Sequence, residues 1–493
     1  MFNQKRKGEN IMESKLKIPS IGLASLVLAI IVLFIAIGMI IFKADIRILI
    51  FICWLIVLPF AIKIGYSSKE IANFAYDMIR TAMTPIMIIL SVGAMIGSWI
   101  ASGTVPTFIY AGLKIISPQY FLVTTLLLCS ISSLITGTSW GTIGTSGLAM
   151  MIIGNSMGIP SGITAGAIVC GAYFGDKMSP ISDTTVFAPA VSGGKLLNHI
   201  KHMLWTTTPS YIITAILFLI IGFKYSTSNF DYSQINQVSA EMAKSFNLGI
   251  IPLIPAVIVI YLLVKNAQPY SSILFGSVVG AIVAILYQGV SVNKALSFLY
   301  SGYVSTSGLP FIDTLLTRGG ITRTYSTVGL IIFAIGLGGI LNGTGIFAAI
   351  LNSISNKIQS VKTLVISTML VSYITNILGA SSTFSATITG TLMQPLFRSM
   401  RMRPENLSRI IEDAGTLGGP IIPWNTASLF PASVLGVSPY AFIPYCFLCY
   451  INPIISLIYG ITGFTMTELD EGEVYGETDK YILTFKKHKN KVT

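Results

Sequence analysis

Charged residues stand in the middle of a strongly apolar chain. The string from Gly171 to Thr185 carries Asp176, Lys177 and Asp183 as its only charged residues. An ionised group in hydrocarbon costs several kcal/mol, so such residues usually face the interior of a helix bundle. There they mark the path of an ion or a substrate.

A second acidic pair, Glu412 and Asp413, precedes a break of small residues, Ala414 to Thr416. Hard cations such as Na⁺ prefer carboxylate, hydroxyl and carbonyl oxygens. A carboxylate that binds Na⁺ when ionised can take a proton instead, so competition between the two ions follows from ordinary electrostatics. Asp176, Asp183, Asp413 and Glu412 are therefore candidate groups for coupling Na⁺ movement to H⁺ movement.

These residues also have simpler interpretations. Asp176, Lys177 and one acid of the second half would form an ion-paired lock between two parts of the bundle. Glu412 would cap Arg409 at the surface, because it adjoins an arginine-rich segment. Both alternatives stay open on the sequence alone.

Composition places the whole chain in a membrane. It is 53% apolar and 10% charged, with a mean hydropathy of +0.76. Several apolar runs reach the roughly 20 residues that a helix needs to cross a bilayer. The net charge of +12 comes without a basic face interleaved with aromatic residues, so no nucleic-acid partner is expected. The five cysteines have no histidine spacing typical of zinc sites.

An internal repeat organises the chain, with an offset of about 240 residues. Met83 to Pro189 matches Tyr325 to Pro431 at several places in the same order. One match pairs Ser102-Gly-Thr104 with Asn342-Gly-Thr344. The two halves are predicted to be copies of one unit.

Basic residues indicate how the copies are oriented, since cytoplasmic loops carry the excess of Lys and Arg. The loop from Asn155 to Gly162 has none, whereas its counterpart around Pro404 has four: Arg398, Arg401, Arg403 and Arg409. The copies are therefore predicted to face opposite ways, with both termini inside. Inverted repeats with broken helices are typical of secondary transporters, whose sites lie near the midplane.

The predicted fold class is an all-α polytopic membrane protein with two inverted-topology repeats, re-entrant hairpins and interrupted helices. Ten spanning segments are expected at about 21–42, 46–63, 85–101, 163–190, 205–223, 248–264, 271–288, 327–341, 405–432 and 440–463. Two further segments, about 119–156 and 363–399, are expected to be re-entrant hairpins. The domains are a cytoplasmic segment (1–20), a membrane domain (21–463, with repeats at about 83–223 and 325–463) and a cytoplasmic tail (464–493).

Enzymatic chemistry is not expected. Gly137-Thr-Ser-Trp-Gly141 fits the pattern of a hydrolase nucleophile elbow, but it lacks the strand, turn, helix and histidine base that this site needs. His199 and His202 flank Lys201 in a predicted cytoplasmic connection, where a surface role is expected. The tail is expected to be solvated.

The string from Gly171 to Thr185, with Gly137–Thr142 upstream and Glu412–Thr416 and Pro423–Thr426 downstream, resembles the NhaC-type Na⁺/H⁺ antiporter family. The resemblance covers about residues 20–463. It implies an ion-transporter-superfamily fold with two re-entrant hairpins and two interrupted helices. The family includes Na⁺/H⁺ exchangers and members that couple these ions to malate and lactate or to amino acids.

The expected function is Na⁺/H⁺ antiport by alternating access. The alternative is Na⁺-coupled movement of a small organic acid or an amino acid; an ion channel is a third, less favoured interpretation, and a membrane-embedded enzyme is the least favoured. The expected partners are Na⁺, H⁺ and membrane lipid, with a homodimer suggested by analogy to this fold. The expected location is the bacterial cytoplasmic membrane.

Asp183 is expected to be the chief ligand of Na⁺, helped by Asp176 and Thr184, and Na⁺ is the transported or coupling ion rather than a cofactor. Lys177 would neutralise the site when it is empty. The cavity is expected to be lined by polar side chains from all four breaks in the two repeats. These are Thr138, Ser139, Lys177, Ser182, Thr184, Thr185, Ser381, Ser382, Thr383, Asn425 and Thr426.

Overall fold

The computed structural model of the protein is built of helices. It describes residues 17–115, 117–180, 182–224, 232–265, 267–309, 312–313, 316–355 and 358–477. Over these residues the β-structure is limited to one isolated bridge, between Met402 and Glu468. Most of the predicted N-terminal segment, and the end of the predicted tail, lie outside the described residues.

The described residues fall into two compact units. Unit 1 comprises Met1–Ala82 and Ile332–Ile358, and unit 2 comprises Met83–Ile331 and Gln359–Thr493. The boundaries differ from those of the predicted repeats, because the second repeat begins in unit 2 and continues into unit 1. All of the predicted site residues belong to unit 2.

Unit 1 contains three complete helices before Ala82. These are α1 (Ile21–Ile40), α2 (Ile46–Ile64) and α3 (Ser68–Thr81). Trp54 ties α2 to the later segment of the unit, since its Nε1 donates to the Phe333 carbonyl at 2.9 Å. On α3, Asp77 and Arg80 form an exposed i,i+3 pair, as helical spacing predicts.

Unit 2 holds most of the helices. They are α4 (Met83–Ala101), α5 (Thr104–Ile115), α6 (Pro118–Thr136), α7 (Ser139–Thr142), α8 (Leu148–Ser156), α9 (Ser161–Met178), α10 (Asp183–Ser192), α11 (Leu196–Lys224), α12 (Tyr232–Ser245), α13 (Ile254–Val264), α14 (Pro269–Leu286) and α15 (Val292–Ser301). Helix α16 (Tyr325–Gly343) begins in unit 2 and continues into unit 1, which also contains α17 (Ile346–Ser355). The chain then forms α18 (Val361–Gly379), α19 (Ser382–Ser399), α20 (Pro404–Ile410), α21 (Thr426–Leu435), α22 (Pro439–Phe442) and α23 (Phe447–Thr462).

Length and hydropathy confirm a polytopic membrane protein. Six helices of the described chain are long and apolar enough to cross a bilayer, or eight if each of two sharply bent pairs is one span. Three further apolar helices are shorter, so the predicted ten crossings are not reached by this measure. The first arm of each predicted hairpin, α6 and α18, is among the six. Re-entry and the inverted orientation of the repeats therefore stay predictions.

The two hairpins turn with the same backbone geometry. Gly137 ends α6 in the left-handed region at φ 68°, and Ala380 ends α18 at φ 51°. In each case the next residue, Thr138 or Ser381, is extended, and its side chain accepts a hydrogen bond from the first turn of the second arm. A left-handed residue followed by a polar cap reverses the chain while satisfying the freed backbone groups.

The predicted helix interruptions are present. In the first half α9 ends at Met178 and α10 begins at Asp183. In the second half α20 passes into a π-helical segment, Ile411–Thr416, before an irregular stretch leads to α21. Such unwound backbone is tolerated at membrane depth only where protein or a water-filled cavity surrounds it.

Small residues allow α9 to approach α6 closely. A Cβ atom at Gly171 would lie 2.5 Å from the Leu126 carbonyl oxygen, and one at Gly175 would lie 2.4 Å from that of Ser130. Ser133 adds a hydrogen bond from its Oγ to the Ala172 carbonyl at 2.6 Å. Close packing through small residues and hydroxyl bonds is how helices associate without a hydrophobic driving force between them.

The prediction that His199 and His202 lie at the surface is wrong. Helix α11 begins at Leu196, before the predicted span at 205, so both histidines belong to the helix and are fully buried. Their charged neighbour Lys201 is exposed. The prediction failed because Lys201 and the two histidines, although adjacent in sequence, lie on different faces of the same helix.

The prediction of a solvated tail holds for Glu468, Asp470, Glu471 and Glu477, which are exposed, but not for the residues just before them. Thr465, Met466 and Thr467 are buried. Arg403, itself only 2% exposed, forms an ion pair with Glu473. Two residues later, Tyr475 donates from its hydroxyl to the Ser192 carbonyl at the end of α10, at 2.8 Å.

Replacing Gly175 with Ala should disrupt the contact between α6 and α9. The added methyl group meets backbone atoms that cannot move aside independently, and overpacking of this kind costs about 1–3 kcal/mol or more. We expect a lower midpoint of thermal unfolding for the detergent-purified protein.

Gly329→Ala is the matched control, since a Cβ atom there would meet nothing within 4 Å. An equal unfolding midpoint for the two variants would contradict the close packing of α6 on α9.

Candidate functional site

Asp176 lies at the end of α9 and is held by two hydroxyl groups. It is 6% exposed. Ser139, at the start of the second arm of the first hairpin, donates to its Oδ2 at 2.6 Å. Ser182, just beyond the helix break, donates to its Oδ1. A hairpin tip and a broken helix thus converge on one carboxylate.

Hydroxyl groups continue from Asp176 across the break. The Oγ of Ser182 lies 3.1 Å from the Oγ1 of Thr184 in the first turn of α10. Thr185 donates to the carbonyl oxygens of both Asp176 and Lys177, each at 2.9 Å. These contacts satisfy carbonyl groups at the end of α9 that lack helical partners.

Lys177 and Asp413 form an ion pair between the two interrupted helices. Both side chains are fully buried. Thr206 of α11 donates to the Asp413 Oδ1 at 3.2 Å, and the Lys177 ammonium donates to the Asn452 Oδ1 of α23 at 3.4 Å. Of the alternatives left open by the sequence, the one that pairs Lys177 with an acid of the second half is therefore present.

Arg409 is the second cation of this cluster. Its Nε lies 3.8 Å from the Asp413 Oδ2, one helical turn away. Its Nη1 donates to the Thr465 hydroxyl at 2.6 Å. Arg409 and Glu412 are both buried, so the alternative in which Glu412 caps Arg409 at the surface is wrong.

A cavity of about 110 Å³ opens beside these residues. It brings together the first turn of α10, the start of α19 in the second hairpin, and the π-helical segment. Its lining residues are Asp183, Thr184, Phe187, Ser382, Thr383, Ala386, Glu412 and Thr416. We call it the coupling cavity.

The coupling cavity presents oxygen atoms that are free to bind an ion. Two of them, the Glu412 Oε2 and the Ser382 Oγ, are buried and have no hydrogen-bond partner among the described residues. Two carboxylates and four hydroxyl groups line the space. This donor set suits a hard cation.

Formal charge at the two breaks is not balanced. Lys177 and Arg409 contribute two positive charges, whereas Asp176, Glu412 and Asp413 contribute three negative charges if all are ionised. One buried carboxylate is thus left without a cation, before Asp183 is counted. At membrane depth such a group needs a bound cation or a proton.

Several residues predicted to line the cavity cap helices. Thr138, Ser381 and Asn425 accept hydrogen bonds from the first turns of α7, α19 and α21. Thr426 donates its backbone N–H to the Ala380 carbonyl at 2.9 Å. The lining of the coupling cavity includes Thr184, Ser382 and Thr383 of the predicted set.

Sequence reasoning missed Thr206, Asn452 and Asn376. Asn376 lies in α18 and donates to the Gly415 carbonyl at 2.8 Å, while its own Oδ1 accepts from Asn425 at 3.0 Å. Buried asparagines in apolar helices are a signal that could have been used, because a polar side chain in the bilayer usually has a partner.

No group of three or more His, Cys, Asp or Glu side chains that could hold a metal ion occurs within the described residues. Asp176 and Asp183, proposed from sequence as Na⁺ ligands with Thr184, therefore have no third such side chain beside them. Any Na⁺ site here would depend on hydroxyl oxygens as well as carboxylates.

Comparison with known proteins gives a consistent assignment. The profile of the Na⁺/H⁺ antiporter family matches residues 171–464. The malate-2H⁺/Na⁺-lactate antiporter of Bacillus subtilis (strain 168) is 39% identical over 418 residues, 85% of this chain and 89% of that protein. The Na⁺/H⁺ antiporter NhaC of Alkalihalophilus pseudofirmus is 36% identical over 447 residues, 90% and 96% of the two chains. The arginine/ornithine antiporter ArcD of Halobacterium salinarum is 32% identical over 462 residues, 93% and 95%.

Replacing either partner of the buried ion pair should destabilise the protein, and the two replacements should differ in size of effect. Lys177→Met leaves three buried carboxylates, those of Asp176, Glu412 and Asp413, with Arg409 as the remaining cation of the cluster, whereas Asp413→Asn leaves two buried cations with two buried carboxylates. Loss of one partner of a buried pair typically costs about 3–5 kcal/mol. We expect the larger fall in thermal unfolding midpoint for Lys177→Met, because it increases the excess of buried negative charge, with part of the fall recovered in the double variant.

The exposed pair of Asp77 and Arg80 supplies the control, because surface pairs contribute about 0–1 kcal/mol. If the effects of Lys177→Met and Asp413→Asn simply added in the double variant, the pair would not be the interaction that matters.

Proposed function

The chain belongs to the Na⁺/H⁺ antiporter family, and from that premise we propose that Na⁺ and H⁺ compete for the carboxylates of its coupling cavity. It is a multi-pass membrane antiporter and not an enzyme. In this proposal Asp183 and Glu412 are the exchanging groups. Thr184, Ser382, Thr383 and Thr416 supply the remaining oxygens.

The observation that carries this proposal is the excess of buried acid at the helix breaks. Lys177 and Arg409 already balance two carboxylates, so a further carboxylate at this depth must hold a proton or a cation. Binding of Na⁺ would displace the proton, and protonation would release Na⁺. Alternating access to a site with these two occupants gives obligatory exchange.

Asp176 contributes to the proposal through its hydroxyl partners. Ser182 contacts both Asp176 and Thr184, and Thr184 lines the coupling cavity. A proton could pass between Asp176 and the cavity by reorientation of these two hydroxyl groups. Asp176 would then be a second proton-binding group, and Ser139 would hold its carboxylate in place.

A second candidate function is exchange that includes an organic substrate. Two relatives that align with this chain over most of their length are named as a malate-2H⁺/Na⁺-lactate antiporter and an arginine/ornithine antiporter. The same carboxylates would then be the ion-coupling site. The organic substrate would need its own recognition groups.

Orientation and assembly are part of the same proposal. We place both termini on the cytoplasmic side of the bacterial cytoplasmic membrane and propose a homodimer. Fluorescence of a C-terminal fusion protein that matures only in the cytoplasm tests the first point. Mass measurement of the detergent-purified complex tests the second.

Addition of Na⁺ to proteoliposomes should drive protons across the membrane with no organic solute present. A pH-sensitive dye inside the vesicles reports this movement. The same experiment is repeated with malate, lactate and arginine. Proton movement that requires one of these solutes would replace simple Na⁺/H⁺ exchange with the organic-substrate alternative.

Asp183→Asn should lower Na⁺-driven proton movement by at least about tenfold, because it removes a charged ligand worth roughly 1.5–3 kcal/mol. The variant should remain folded, since Asp183 is an exposed residue that lines the coupling cavity. Asp77→Asn, on the exposed face of α3, is the matched control and should keep full activity. Equal transport by both variants would remove Asp183 from the site.

A further inference from the structure

A second cavity, of about 310 Å³, lies against the middle of α4. It shares no lining residue with the coupling cavity. Its lining residues are Ile89, Val92, Gly93, Ile96, Thr317, Arg318, Gly319, Gly320, Arg323, Thr324, Ser433, Val434 and Gly436. This set contains two arginines and no acidic residue, so the lining of the cavity is positively charged. Its volume is in the usual range for a small-molecule site, about 300–1,000 Å³.

A tight glycine turn places the two arginines. Gly319 and Gly320 have φ angles of +82° and +89°, which residues with a side chain rarely adopt. The Gly320 N–H donates to the Gly93 carbonyl at 2.6 Å, and a Cβ atom on Gly319 would lie 2.3 Å from the Gly97 nitrogen. The turn is therefore pressed onto α4, with Arg318 before it and Arg323 after it.

Each arginine uses only part of its hydrogen-bonding capacity. Arg318 donates from Nη1 to the Leu435 carbonyl at 3.3 Å, and Arg323 donates from Nη1 to the Thr317 carbonyl at 2.7 Å. Among the described residues neither has a carboxylate within ion-pair distance. A guanidinium group has five N–H donors, so several remain to bind a ligand.

We propose that this cavity binds a small organic carboxylate. The planar guanidinium fork matches a carboxylate in geometry and charge. The walls formed by Ile89, Val92 and Ile96 would cover the apolar part of such a ligand. This inference rests on the second candidate function, exchange that includes an organic substrate, and assigns recognition groups for that substrate outside the coupling cavity.

The ligand would contact a helix whose other end lies beside the second helix interruption. Ser433 and Val434 belong to the last turns of α21, whose ten residues span about 15 Å. The opposite end is capped by Asn425, which is hydrogen-bonded to Asn376 next to the second interruption. A carboxylate in this cavity would therefore occupy one end of a short helix whose other end is linked through Asn376 to the Gly415 carbonyl of the second interruption.

Calorimetric titration of the purified full-length protein with lactate and with malate tests the proposal. We expect binding to the unaltered protein and a loss of affinity of about tenfold or more in Arg318→Gln and in Arg323→Gln. Lys294→Gln, which removes an exposed cation from α15, is the matched control and should bind normally. Ser433→Phe retains both arginines but fills the space, and it should also abolish binding.

Two results would overturn the proposal. One is undiminished binding in both arginine variants. The other is binding of inorganic phosphate or phosphatidylglycerol with neither carboxylate bound, which would make the cavity a phosphate site. Na⁺-driven proton movement in Arg318→Gln without organic solute is measured in parallel, so that failure of this site is distinguished from failure of the proposed exchange.

Discussion

The buried ion pair between Lys177 and Asp413 is the constraint on which the site depends. It joins the end of one interrupted helix to the π-helical segment of the other. Two ions removed from water are stable only if their geometry is good and their remaining bonds are satisfied. Thr206 and Asn452 contribute hydrogen bonds to the pair, and Arg409 places a second positive charge 3.8 Å from the Asp413 Oδ2, so three separate helices support it. These contacts fix the position of the two interrupted helices relative to each other.

The breaks themselves could be predicted from sequence. Clusters of Gly, Ser, Thr and Pro interrupt long apolar runs, and unwound backbone needs such residues. The hairpin turns at Gly137 and Ala380 fall where the clusters indicated. The candidate acids were also found, because an ionised residue in an apolar run has few structural explanations. Asp176 and Glu412 are buried, and Asp183 and Glu412 share the coupling cavity.

Partners from distant helices could not be predicted. Thr206 and Asn452 reach the ion pair only through the packing of α11 and α23 around it, and no local pattern encodes that proximity. Arg409 was assigned to a cytoplasmic loop because it follows other arginines in sequence. Helix α20 instead turns it inward to Asp413. His199 was misplaced for the same reason, since charge density in a short segment does not reveal which face of a helix is buried.

The described tail has a mechanical consequence. Glu473 is bound to Arg403 at the start of the second interrupted helix, and Tyr475 is bound to Ser192 at the end of the first. Two residues of extended chain span at most about 7 Å. The segment is thus a nearly inextensible tether between these two helix ends. While both contacts hold, the separation of the two helix ends is limited to the reach of this short segment and of the Arg403, Glu473 and Tyr475 side chains.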